Sequence, residues 1–369
     1  MGSEATRNGL ARAVTDAGEV EGTTWDVPGP SPGTTTHVHR FLALPYAAPP
    51  VGPLRWRAPQ PVTAWPGVRR TPAKLPVCPQ VGGLGGGQSF EGHSNEQTED
   101  CLYLNVITPT LDDAAMLPVI FYIHGGSGKH GTGMTPRLGG DGLAAHGACF
   151  VNINYRLGAL GFCAHPQLTA EDPDGSSGNY AILDQIAALR WVQRNITRFG
   201  GDPGRVTIWG LSSGAQFVTT LVGSRLAVGL FHRAMVQSCT DLANLRHRTT
   251  RTEIWQGKSA EDWGVEYGND ELGCPAGPGQ IEAMRQISVA KLLETSDADS
   301  ATDFYESCID GHVKLGATAH LLAAGDFNHV PLMIGYTGDD GLGSDELEHH
   351  MYLLRGIRTH NLDQRPGGN

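Results

Sequence analysis

Gly210-Leu211-Ser212-Ser213-Gly214 places one serine between two glycines, at a junction between two kinds of segment. Val206–Trp209 before it reads as a strand, and Ala215–Gly223 after it is apolar enough to start a helix. A serine at such a strand-to-helix turn carries its hydroxyl above the edge of a sheet, where it can attack a carbonyl carbon. The turn is sharp, so a side chain at either glycine would meet neighbouring backbone. The helix start adds positive dipole beside the hydroxyl. A second glycine-rich segment, His124-Gly125-Gly126-Ser127-Gly128, follows directly on the strand Pro118–Ile123. Glycines let backbone N–H groups come close to a carbonyl oxygen as it gains charge, and each such donor is worth on the order of 3 kcal/mol. The N–H of Ser213, just past the serine, adds a further donor.

These segments need a rigid frame. Cys149–Asn154, Ala234–Gln237 and Pro331–Tyr336 read as buried strands, like Pro118–Ile123 and Val206–Trp209. Ile182, Ile186, Leu189, Val192 and Ile196 recur at helical spacing, and Gly200-Gly201 stops the run. Alternating strands and helices predict an α/β domain with a mostly parallel central sheet flanked by helices on both faces. Gly277–Ser307 reads as a less regular helical excursion that decorates the sheet. Gly82–Gly87 reads as a surface loop, Glu346–Leu354 as a short helix, and Gln364–Asn369 as a frayed tail. The 369 residues show no internal repeat and no long linker, so one domain is expected over 1–369.

Composition narrows the function classes. A net charge of -11 disfavours nucleic acid, because phosphates would repel it. The longest apolar run, Val119–Ile123, is too short to span a bilayer. Met1–Val20 is polar and charged, with no apolar core of a signal peptide. Either the chain is intracellular or its native N-terminus lies upstream, and the compartment is left open. Seven cysteines leave at least one unpaired, and none lies at zinc-ligand spacing, so no metal and no cofactor are expected.

Taken in order along the chain, the motifs resemble the type-B carboxylesterase and cholinesterase family, whose members have the α/β-hydrolase fold. Phe41–Tyr46 with Pro49–Trp56 is similar to the family's N-terminal signature, and Glu99–Val106 to its second. Asn154–Phe162, Gly178–Tyr180, Asp184-Gln185, Phe199–Pro203, Gly229–Ala234 and Gln237-Ser238 also match, so the resemblance runs from about Phe41 to Gly341. It implies Ser212 as nucleophile and Gly126, Ser127 and Ser213 as oxyanion donors. Val330–Gly335 falls on the strand before the acid, and Asp340 takes the acid's position as Asp in place of the usual Glu. Cys78 and Cys101 fall on the family's first disulfide. Cys274 matches half of the second, whose partner position holds Ala283, with Cys239 as a substitute to test. Cys149 and Cys163 are expected to pack as small buried apolar residues.

Leu211 replaces the Glu usual before the nucleophile, and Ser127 replaces a Gly whose backbone N–H it keeps. The loop Cys78–Cys101 has Phe90 but no Trp to bind a quaternary ammonium, which favours a small neutral ester as partner. Only 29 residues follow Asp340, with His349, His350 and His360 the remaining histidines, so the family's base histidine has no match. His124 is read as a structural part of the oxyanion loop. The expected function is therefore a serine carboxylic ester hydrolase on a C-terminally truncated fold. The alternatives are a catalytically impaired, cholinesterase-like binding or adhesion protein, or a truncated gene product. The disulfide pattern suits secretion, and the oligomeric state is not legible.

Overall fold

β8 (Leu117–Ile123) and β9 (Cys149–Ile153) lie in the middle of a sheet of ten strands among the described residues and show how it is built. On β8, Val119, Phe121 and Ile123 enter one core, while Ile120 and Tyr122 face a second on the other side. On β9, Cys149, Val151 and Ile153 join the first core and Phe150 the second. Side chains alternate faces along a strand, so strands with apolar residues on both faces need cover on both sides. The helices Tyr180–Asn195 and Ser213–Gly223 cover the first face, and the short helix Gly140–Ala145 covers the second. The structure, a computed structural model, describes residues 5–81, 89–239, 246–252, 256–297 and 306–337.

The remaining strands in chain order are β1 (Thr6–Thr15), β2 (Gly18–Pro28), β3 (Thr35–Pro45), β4 (Val68–Arg70), β5 (Lys74–Val77), β6 (Ser94–Gln97) and β7 (Tyr103–Thr108). After β8 and β9 come β10 (Gly201–Leu211), β11 (Arg233–Gln237) and β12 (Leu332–Gly335). The sheet order is β1-β2-β3-β7-β9-β8-β10-β11-β12, with β4 beside β2 and β5 paired with β6 in a small separate sheet. Pairing is antiparallel from β1 to β9 and parallel from β9 to β12, so the sheet is mixed, and its parallel half holds the glycine-rich turns. Each strand expected from the sequence is present, with ends shifted by a few residues.

The polar N-terminal segment proved to be strand. Ala11, Ala13 and Thr15 point inward while Leu10, Arg12 and Val14 face out, and Arg12 pairs with Glu19 and Glu21 across the hairpin. Small buried residues between charges carry too little hydrophobicity to be read as a strand. The helix expected from the Ile182–Ile196 spacing runs Tyr180–Asn195, and Gly200 ends the next turn with φ +73°. Within Gly277–Ser307, the helices Gln280–Arg285 and Val289–Asp297 put Ile281, Met284 and Leu292 in a small core with Trp56 and Trp263. The expected loop Gly82–Gly87, helix Glu346–Leu354 and tail Gln364–Asn369 lie outside the described residues.

Candidate active site

Ser212 sits where β10 ends and the Ser213–Gly223 helix begins. Its backbone is at φ 57°, ψ −128°, a region an L-residue enters only when its surroundings hold it there. They do so here. The Ser212 N–H donates to Gln237 O on β11 at 2.9 Å, and Ser212 O accepts from Ala215 and Gln216 in the first helical turn. The two flanking glycines are required by close approach of backbone. A Cβ on Gly210 would lie 2.3 Å from Gly214 O, and one on Gly214 would lie 2.3 Å from Ile123 O.

The second glycine-rich loop meets this turn because β8 and β10 are neighbours in register, with Ile123 opposite Gly210. A Cβ on Gly125 would stand 2.5 Å from Leu211 O and 3.2 Å from Ser212 Cβ, so the loop backbone lies directly against the serine. Gly126 (φ +114°), Ser127 (φ +56°) and Gly128 (φ +66°) then curl the chain through left-handed conformations. The Gly128 N–H donates to Ser213 Oγ at 3.3 Å, and Gly128 O accepts from Gly158 N–H at 2.8 Å. Among the described residues, nothing accepts from the N–H groups of Gly126, Ser127 or Ser213. The N–H groups of Gly126, Ser127 and Ser213 are thus unengaged, in the loop packed against the serine and in the first residue after it.

His124 is structural, as its place in the loop led us to expect. Its Nδ1 lies 2.9 Å from Gly125 O, which can only accept, so Nδ1 carries the proton. The Gly125 carbonyl and the Gly126 N–H share one planar trans peptide and point opposite ways. Holding that carbonyl to the ring therefore turns the Gly126 N–H away from it. Tyr155 stacks on the ring with centroids 4.3 Å apart and donates its hydroxyl to His124 O at 2.7 Å. Burial lowers the His124 pKa to about 4, so the ring is neutral at physiological pH.

Polar side chains to which the sequence reading gave no individual role finish the frame. Asn154 Oδ1 accepts from Thr132 Oγ1 and Gly133 N–H, while Asn105 Nδ2 donates to Gly133 O. Gln80 bonds both backbone groups of Gly131. Arg156, just past Tyr155, pairs with Asp184 through Nε at 2.8 Å and Nη2 at 2.6 Å, and both side chains are buried. Apart from the family motifs that include Asn105, Asn154 and Asp184, no local pattern marks these residues.

Cys78 and Cys101 form the expected disulfide. Cys239 and Cys274 are not joined, which corrects the substitute second bridge; both are buried thiols, as are Cys149, Cys163 and Cys308. Burial pushes the Cys149, Cys163 and Cys308 thiols up to about 12, which makes them poor nucleophiles. Leu211, in place of the family's Glu, is 44% exposed beside the serine. Asp340, His349, His350 and His360 lie outside the described residues. Among the described residues no cluster of metal-binding side chains and no membrane-length apolar helix occurs.

A strained serine at a strand-to-helix turn, in the parallel half of a helix-covered sheet, defines the α/β-hydrolase fold. The carboxylesterase family model matches residues 11–354, and the chain belongs to this family. It is 37% identical over 335 residues to fumonisin B1 esterase of Sphingopyxis macrogoltabida, covering 89% of this chain and 56% of that protein. It is 34% identical over 318 residues to para-nitrobenzyl esterase of Bacillus subtilis, covering 84% and 61%. Neuroligin-3 of Mus musculus is 33% identical over 352 residues, covering 83% of this chain and 40% of that protein. A solved PNB esterase structure superposes with a TM-score of 0.73 at 33% identity, covering 90% of this chain and 65% of that one. The chain thus spans between 40% and 61% of the length of these three relatives.

Proposed function

We propose that this chain carries the acyl-transfer apparatus of a serine carboxylic ester hydrolase acting on small neutral esters. The observation that supports it most is Ser212 in a strained conformation, with the Gly125 backbone packed against it and the N–H groups of Gly126, Ser127 and Ser213 unengaged. A binding surface has no need of that strain, and a structural turn has no need of unengaged donors. In this reading Ser212 Oγ attacks the ester carbonyl carbon and gives its proton to a base. The carbonyl oxygen becomes an oxyanion held by the N–H groups of Gly126, Ser127 and Ser213. Collapse of the tetrahedral species expels the alcohol, which takes the proton back from the base. Water then cleaves the acyl-serine by the same route. Asp340 orients the base, a histidine. His349 and His350, nine and ten residues past Asp340, are the positions in this chain to test for that role. The relatives named for fumonisin B1 and for para-nitrobenzyl esters share ester cleavage, which supports the bond class and leaves the acyl and alcohol groups open.

The test is covalent labelling of the full chain with a fluorophosphonate, mapped by mass spectrometry, together with turnover of p-nitrophenyl acetate. Expected are one label per chain on Ser212 and turnover that disappears in Ser212→Ala. Absence of a label, with turnover equal to that of Ser212→Ala, overturns the reading.

A further inference from the structure

We propose that Gln80 is a positioning residue for the oxyanion loop, an inference that rests on reading Ser212 as the nucleophile. Gln80 is 51 residues from Gly131 in sequence, yet its side chain closes on both backbone groups of that glycine. Its Oε1 accepts from Gly131 N–H at 2.9 Å, and its Nε2 donates to Gly131 O at 2.9 Å. Because one partner is a donor and the other an acceptor, the orientation of the amide is fixed. Gln80 is only 3% exposed, so breaking these bonds leaves buried groups without replacements from water.

Gln80 is itself held. Its Nε2 also donates to Cys78 O at 3.0 Å, and its backbone N–H donates to the Gln97 side chain on β6 at 2.9 Å. Cys78 is tied to Cys101 by the disulfide, and Cys101 is fully buried. The grip therefore comes from a rigid anchor.

What it grips packs on the peptide that carries the Gly126 N–H. Gly131 has φ +111°, and a Cβ there would lie 2.3 Å from His124 Nδ1 and 2.7 Å from Gly125 O. The Gly131 backbone thus packs on the same hydrogen bond that sets the Gly125–Gly126 peptide. Between His124 and Gly131 the chain is glycine-rich and cannot hold one conformation unaided. Tyr155 holds one end of it, and Gln80 holds the other. A donor displaced by even 1 Å loses about a hundredfold in rate, so a tie at this point bears on the chemical step more than on substrate binding.

Gln80→Met keeps length and volume but removes all three side-chain hydrogen bonds, the two to Gly131 and the one to Cys78 O. Val38→Ala, a buried change on β3 in the other core, controls for general destabilisation. On p-nitrophenyl butyrate, Gln80→Met is expected to lower kcat at least tenfold with KM within twofold. Val38→Ala is expected to lose comparable thermal stability and keep kcat within twofold. A Gln80→Met kcat within twofold of wild type, or falling no further than that of Val38→Ala, overturns the inference. If the wild-type chain neither turns over nor labels at Ser212, the hydrolase reading fails on its own. Amide exchange then judges Gln80: residues 125–131 should exchange at least tenfold faster in Gln80→Met and unchanged in Val38→Ala, and equal exchange in all three proteins overturns the inference.

Discussion

Gly126→Ala tests the oxyanion loop at its tightest point. Gly126 has φ +114°, which a residue with a side chain rarely adopts, at a cost of about 1–3 kcal/mol. The added Cβ would also stand 2.3 Å from His130 O, a backbone atom of the same turn. Contacts of that kind below 3.0 Å essentially never occur, so the loop must move by at least roughly 0.7 Å. It is not free to move as a whole, because Gly128 is tied to Ser213 and Gly158, and Gly131 to Gln80. The displacement therefore falls on the peptides carrying the Gly126 and Ser127 N–H groups. Loss of one oxyanion donor costs about 10²–10³ in kcat, on the order of 3 kcal/mol. The donors act on charge that exists only in the transition state, so KM should change by less than about threefold. The assay is steady-state turnover of p-nitrophenyl butyrate, normalised by fluorophosphonate titration so that unfolded protein is not counted. A folded Gly126→Ala protein with kcat within about fivefold of wild type would refute the assignment of these N–H groups as donors.

Three further outcomes follow from buried groups near the site. Asp184→Asn breaks the ion pair with Arg156 while both side chains stay buried, so urea unfolding should show a loss of about 3–5 kcal/mol. Reduction of Cys78–Cys101, separated by 23 residues, should lower stability by about 3 kcal/mol through the freed loop, seen as a lower urea midpoint with dithiothreitol. His124, held neutral down to about pH 4, binds its proton later than a histidine of the unfolded chain, which titrates near 6.5. The unfolded state therefore carries more protons between these values, and stability should fall as pH drops from 6.5 to 4, by on the order of 3 kcal/mol. His124→Asn should flatten that part of the stability–pH curve, and an equally steep curve in the variant would count against the assignment.

The serine turn and the glycine loop were legible because each is a local pattern. Gly-x-Ser-x-Gly between a strand and a helix has few structural meanings, and the apolar runs of β8 to β11 announce a sheet covered on both faces. The N-terminal strands were not legible, since β1 buries only Ala11, Ala13 and Thr15 along its inner face. Nor were Gln80 and Tyr155 as supports of His124 and Gly131, because their partners lie 51 and 31 residues away and the contacts exist only after folding. The proposed Cys239–Cys274 bridge failed for a related reason. Counting cysteines gives no distance, and these two are buried in different cores, one with the sheet and one with Trp263.

Register, more than any single contact, brings the serine and the glycine loop together. Gly210 on β10 is opposite Ile123 on β8 and Val236 on β11, so Ser212 leaves the sheet beside His124 on one side and Gln237 on the other. Each neighbouring strand then supplies something different. β8 continues into the loop that carries the Gly126 and Ser127 N–H groups, while the Gln237 carbonyl at the end of β11 accepts from Ser212 N–H. A slip of one residue between β8 and β10 would move every buried side chain to the opposite face, so the two cores prevent it. The same apolar packing that stabilises the sheet thus sets the position of the Gly125 backbone against Ser212. Burial of Val206, Ile208, Phe121 and Ile123, all fully buried, fixes the strands from which the hydrogen bonds to the strained serine are made. Those polar groups have the narrower task of orienting peptides within a frame that the sheet has already placed.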